Sequence, residues 1–227
     1  MDVAANLEEI RQQIRQACAN SNRNPEDITI IGVTKYVTTE RAKEAIEAGV
    51  TNLGENRMEG FLEKYEYIQD DAVWHFIGTL QSRKVKDVIG KADVIHSLDR
   101  KSLAKEINKR AAGPADCLVQ VNVSGEDSKH GIDAKEVISF VRELKRYENI
   151  RVAGLMTMAP HTDDEDQLRT VFRKLASLRE AVQAEQLPHA PCQYLSMGMS
   201  NDYQIAIEEG ATHVRIGSAL VGSRETE

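Results

Sequence analysis

ITIIGVTKYVTTE, residues 28–40, decides between the two parallel-sheet architectures open to this chain. Its opening ITIIGVT is apolar and rich in β-branched residues, as a strand buried on both faces requires. An open, doubly wound sheet would follow such a first strand with a glycine-rich phosphate loop. KYVTTE follows instead, with no GxGxxG. Further runs of strand character are TNLGE (51–55), WHFIG (74–78), ADVIHS (92–97), DCLVQVNV (116–123), RVAGLMT (151–157), QYLSMG (193–198) and THVRIG (212–217). Between them lie stretches of helical period such as TERAKEAIEAG, KSLAKEINKRAAG and AKEVISFVRELKRY. Gly49, Gly113 and Gly210 each follow such a stretch, where a left-handed residue would end the helix. Eight alternating βα units predict an α/β fold closed as a (β/α)8 TIM barrel.

Ahead of the first unit, Val3, Leu7, Ile10, Ile14 and Cys18 recur in steps of three and four. They predict an extra N-terminal helix over residues 1–20, capped by Asp2 and packed on the barrel. No Pro/Ser/Gly-rich linker divides the chain, so residues 1–227 are expected to form a single domain. Net charge is -7, which leaves no basic footprint for nucleic acid. No apolar run is long enough to span a bilayer, and the mixed charges of the N-terminus match neither a signal peptide nor a transit peptide. Cys18, Cys117 and Cys192 are far apart with no CxxC spacing, and the histidines lack metal-ligand spacing such as HExxH. The expectation is a cytoplasmic protein with core cysteines and no metal.

Lys35 is unusual because it closes an apolar strand, and strand C-terminal ends are where barrel chemistry collects. A lysine there either snorkels into solvent or points into a site. The turns after strands seven and eight read SMGMSNDYQIAIEEG and RIGSALVG. In the first, Gly198 permits a tight turn, and Ser200 or Asn201 can cap a helix beginning near Asp202. In the second, Gly217 lets the backbone approach a ligand and Ser218 adds a hydroxyl and an N–H. Two such turns side by side make a phosphate cradle. Arg215 joins Lys35 at the same mouth, as a cation that lowers the lysine's pKa or as a partner of the ligand. A phosphorylated carbonyl compound held as a Schiff base fits this constellation, whether a sugar phosphate or a cofactor. Tyr36 and Tyr203 read as packing aromatics, His75 and His130 as hydrogen-bonded structure, and DDED (163–166) as a helix start.

VTKY (33–36), GENR (54–57), WHFIGTLQSRK (74–84), HGI (130–132), GLMTM (154–158), SMGMSND (196–202) and VRIGSALVG (214–222) together resemble the pyridoxal phosphate homeostasis proteins. These are single-domain, fold type III relatives of the alanine racemase barrel. The resemblance implies that Lys35 bonds the aldehyde of pyridoxal 5'-phosphate, while Ser200, Gly217 and Ser218 hold its phosphate. It places Arg215 at the pyridine nitrogen, Asn56 near the phenolic oxygen and Met156 in the wall beside the ring. An arginine at that nitrogen disfavours ring protonation and weakens the cofactor as an electron sink. Racemases of this fold add a C-terminal β-domain that supplies an opposing tyrosine base, and the resemblance implies a chain without it. The expected role is a monomeric carrier in homeostasis of vitamin B6 and of amino and keto acids, delivering cofactor to PLP-dependent apo-enzymes without catalytic turnover. A racemase-like enzyme is the alternative. Val221 departs from the family's pattern, where an aromatic residue is expected.

Overall fold

The computed structural model describes residues 2–125 and 130–222; residues 1, 126–129 and 223–227 lie outside it. Its strands are β1 (Thr29–Val33), β2 (Asn52–Glu55), β3 (Val73–Phe76), β4 (Val94–Leu98), β5 (Ala115–Asn122), β6 (Ile132–Asp133), β7 (Ile150–Met156), β8 (Tyr194–Met199) and β9 (His213–Ile216). All pairings are parallel, and β1 bonds to β2 on one side and to β9 on the other. β4 also pairs with β5, so the sheet returns on itself as the expected barrel of eight strands. The ninth, β6, is a two-residue edge piece beside Val121 and Asn122. It is too short to carry a period that sequence could show.

Helices α1 (Val3–Asn20), α2 (Thr39–Glu47), α3 (Met58–Ile68), α4 (Val85–Val88), α5 (Lys101–Arg110), α6 (Val137–Glu143), α7 (Glu165–Ala184), α8 (Tyr203–Glu208) and α9 (Ser218–Val221) cover the barrel. Asp2 caps α1 as predicted, its carboxylate accepting from the N–H groups of Ala4 and Ala5. Leu7, Ile10 and Ile14 face inward, and their burial stabilises the helix on the barrel by roughly 1.5–3 kcal/mol each. Asn6 donates to the carbonyl of Leu220 at 2.8 Å, and the Tyr203 hydroxyl bonds Gln13. Gly49 and Gly210 take the left-handed conformation at φ 106° and 105°. Gly113 does not, because α5 ends earlier through an extended Ala111. DDED provides the cap of α7 through Asp164 and its acidic first turn, and the three cysteines are buried free thiols.

Two polar features sit inside this frame. At the end of β2, the Glu55 carboxylate meets Lys64 Nζ at 3.0 Å and accepts from the Thr34 hydroxyl at 2.7 Å, with all three side chains buried. Within the barrel, His75, His96 and His213 cluster, with the His75 ring centroid 5.0 Å from His96 and 6.0 Å from His213. Burial, reinforced by neighbouring imidazoles and Arg215, pushes His75 down to about 3 and His213 down to about 4, and holds His96 well below the usual histidine range.

Two outcomes follow from these features. Lys64→Ala strands a buried carboxylate and is expected to cost about 3–5 kcal/mol in denaturant unfolding. As pH falls below about 6.5 the unfolded chain takes up protons that the native histidines refuse. Stability should therefore be full above that pH and decline as it drops toward about 3–4, with a slope up to about 1.4 kcal/mol per pH unit for each of the three rings. Urea midpoints across that range check this; a flat profile contradicts buried neutral histidines.

Candidate functional site

The strand that begins the barrel is pinned where it ends. Thr34 donates its N–H to the carbonyl of Gly54 at 3.1 Å and its hydroxyl to Glu55, so the backbone next to Lys35 is tied to a buried ion pair. Lys35 itself is exposed, with Nζ 4.9 Å above the centre of the Tyr36 ring. Tyr36 is 52% exposed, which corrects its reading as a packing aromatic: it is a platform beneath the ammonium. Tyr203, by contrast, is buried with its hydroxyl bonded, as expected.

The next strand delivers Asn56. Its side-chain oxygen is buried and has no hydrogen-bond partner among the described residues. The backbone of Asn56 runs so close to Gly78 that a Cβ there would lie 2.0 Å from the Asn56 carbonyl oxygen. Glycine at the end of WHFIG is thus demanded by the path of the neighbouring turn.

Across the mouth, the turn after β8 depends on Gly198 at φ 91°, where a Cβ would meet that of Ala206 at 2.6 Å. Neither Ser200 nor Asn201 caps the following helix, contrary to expectation. Asp202 occupies the cap position, and its carboxylate turns back to accept from the N–H of Met199 at 2.6 Å. Burial raises the Asp202 pKa despite that bond. The released Ser200 hydroxyl accepts instead from the N–H of Gly217 at 3.3 Å, joining the two turns directly. The missing Cβ of Gly217 would contact Val33, so the turn after β9 also touches the end of β1. Ser218 follows, exposed, as the first residue of the short α9.

Arg215 lies deeper between these turns, level with Ile31 in the ladder and 4% exposed. It donates through one terminal nitrogen to the Ser196 hydroxyl at 2.6 Å and through the other to the carbonyl of Thr157 at 2.9 Å. No carboxylate forms an ion pair with it among the described residues. Burial pushes its guanidinium down to about 10, opposed by the charge of Asp202, so it stays cationic at neutral pH. Met156 is buried in register with Ser196, in a cluster with Val94, Leu118 and Ala153. Thr34, Glu55, Ser196 and Asp202 hold the site's residues in place and escape sequence reading, because nothing in an apolar run tells which polar member faces which neighbour. His130 is exposed, and His75 is bonded within the barrel as expected.

A broad concavity of about 980 Å³ opens at the opposite end of the barrel, lined by Val73, Asp93, Ala115 and His213 among others. Those residues begin strands, and barrel chemistry gathers where strands end. The C-terminal mouth therefore carries the candidate site. It brings together an accessible amine, two linked turns with N–H and hydroxyl donors, and a buried cation that forms no ion pair among the described residues. This set can bind an anion and hold a carbonyl compound covalently. No metal-binding group of three or more acidic, histidine or cysteine side chains occurs among the described residues.

Residues 4–225 match the family described as alanine racemase, N-terminal domain. A pyridoxal phosphate homeostasis protein of Aquifex aeolicus is 43% identical over 99% of this chain and 100% of its own. The solved structure of PipY from Synechococcus elongatus, with PLP bound, superposes with a TM-score of 0.84 at 28% identity, covering 97% of this chain and 100% of that one. An alanine racemase of Clostridium difficile shares the fold, with a TM-score of 0.77 at 19% identity over 100% of this chain and 58% of that one. By these matches, together with the site's geometry, the chain belongs to the pyridoxal phosphate homeostasis protein family, on the alanine racemase N-terminal barrel.

Proposed function

We propose that this protein binds pyridoxal 5'-phosphate at the C-terminal mouth of its barrel and serves intracellular homeostasis of that cofactor and of amino and keto acids, as a cytoplasmic, monomeric carrier rather than an enzyme. The observation that carries the reading is Arg215, a buried cation that forms no ion pair among the described residues, inside the mouth that also presents Lys35. A buried guanidinium needs an acceptor, and a pyridine nitrogen is one that it can satisfy without becoming neutral. The orphaned oxygen of Asn56 marks a second polar group in want of a partner, and that side chain is assigned to the phenolic side of the ring. Ser200, Gly217 and Ser218 offer hydroxyls and backbone N–H groups to a phosphate, and Met156 an apolar wall to the ring. These residues fit the group. The related PipY structure with PLP bound supports the same choice of ligand.

When bound, the cofactor supplies an aldehyde that captures amines reversibly. Lys35 provides the amine from the protein, and its exposure leaves room for another amine to approach. Arg215 at the pyridine nitrogen would disfavour ring protonation and so leave the cofactor a weaker electron sink. The arrangement favours keeping and releasing the cofactor over using it, and PLP-dependent apo-enzymes are the natural receivers.

The purified protein should show a visible absorption band after incubation with pyridoxal phosphate. Borohydride reduction and peptide mapping should then place the pyridoxyl group on Lys35, and Lys35→Ala should lose the band. A label on any other lysine overturns the assignment. Loaded protein should reactivate an apo-enzyme faster than free release allows, and amino-acid α-protons should not exchange in deuterated water beyond the rate in buffer. Transfer at the rate of free release removes the carrier role; exchange that disappears in Lys35→Ala makes the protein an enzyme.

A further inference from the structure

Arg215 is the mouth end of a hydrogen-bonded chain that runs down the barrel interior. It donates to Ser196 Oγ at 2.6 Å. Ser196 Oγ lies 3.0 Å from His96 Nδ1, His96 Nε2 lies 2.8 Å from His75 Nδ1, and His75 Nε2 lies 2.9 Å from Asn52 Oδ1. Both imidazoles are almost wholly buried, which keeps them neutral, so each has one donor and one acceptor nitrogen.

That restriction orders every proton. A guanidinium only donates, so Ser196 Oγ accepts from Arg215 and directs its own proton onward to His96 Nδ1. His96 must then carry its proton on Nε2 and give it to His75 Nδ1. His75 in turn carries its proton on Nε2 and gives it to the Asn52 carbonyl oxygen. With Asn52 so oriented, the opposite order fails twice: it leaves the Ser196 hydroxyl proton without an acceptor and sets two acceptors face to face at Asn52. The chain ends on an amide oxygen, a very weak base, so no proton of Arg215 has a route out through it. The second terminal nitrogen is tied to the carbonyl of Thr157. Two contacts at different angles fix the guanidinium plane, and its remaining N–H groups make no hydrogen bond among the described residues.

We propose that Ser196, His96 and His75 form a proton-ordered strut, seated on Asn52, that holds the Arg215 guanidinium in one orientation toward the ring nitrogen of bound pyridoxal phosphate. They are positioning residues: Arg215 meets the ligand, and the strut decides how. The ligand half of this inference rests on the function proposed above, whereas the proton order concerns the free protein alone.

The first test uses the protein without cofactor. Long-range proton–nitrogen correlation spectra of the histidine rings should show His75 and His96 neutral and protonated on Nε2 from about pH 5.5 to about pH 8. An Nδ1–H tautomer or a charged ring in that range overturns the strut. The second test cuts the chain beside Arg215. Ser196→Ala should abolish the single tautomer of His96, weaken pyridoxal phosphate binding by roughly tenfold and displace the visible maximum, while Ser196→Thr, which keeps the hydroxyl, should restore both. A folded Ser196→Ala with wild-type affinity and spectrum refutes the ring-facing role. If Ser196→Ala does not fold, His96→Gln is judged by the same affinity and spectral criteria. Wild-type protein that takes up no pyridoxal phosphate ends the functional reading and the ring-facing role together, and the tautomers still decide on the strut itself.

Discussion

Everything at the mouth answers to one constraint: a guanidinium is enclosed in the barrel, and among the described residues no carboxylate forms an ion pair with it. Burial of a lone cation is costly, and the usual remedy is an ion pair. Here compensation comes from dipoles, a serine hydroxyl and a backbone carbonyl, with Asp202 exerting its charge from farther off. Dipoles orient a cation without cancelling it. The barrel therefore keeps a persistent positive donor in its interior, deeper than the exposed Lys35.

The second organising element is the barrel seam. β1 pairs with β9 from Thr29 to Gly32, so the first and last turns of the sheet share one wall. Lys35 leaves β1 while Gly217 leaves β9, where a Cβ on Gly217 would come into contact with Val33. Ser200 reaches in from the neighbouring turn to accept from Gly217. The end of β1 that carries Lys35 and the two linked turns are thus neighbours because of strand order. Around them stand Tyr36, Met158 and Met199, three large apolar side chains left exposed, all on segments that leave strand ends.

The fold was readable from residues because parallel strands buried on both faces appear as unbroken apolar runs, and each of the eight runs falls within two residues of its observed strand. What escaped was either too short or decided by tertiary contact. β6 spans two residues. Gly113 sits after a helix, but the chain turns through Ala111 first. Ser200 has the chemistry of a cap, yet Asp202 stands closer to the helix and binds the turn, freeing Ser200 for Gly217. The candidate residues of the mouth were named from long motifs in a fixed order. Their supports were not: Glu55 reads as one acid in GENR, and only the fold reveals that it anchors both Thr34 and Lys64. His75 and His96 likewise lie on different strands, and period alone cannot say that they share a level of the barrel axis.

The seam also sets the order in which the molecule can be made. α1 and β1 emerge early from the ribosome, but α1 packs on α8 and α9, and β1 waits for β9. Asn6 and its partner Leu220 are separated by 214 positions. Contacts so distant in sequence form slowly, since the loop-closure cost comes before any contact repays it. The contacts of α1 with α8 and α9, and the bond between the turns after β8 and β9, therefore form only once those last elements are available. Barrel closure, the docking of α1 and the linking of the two mouth turns thus become one late event.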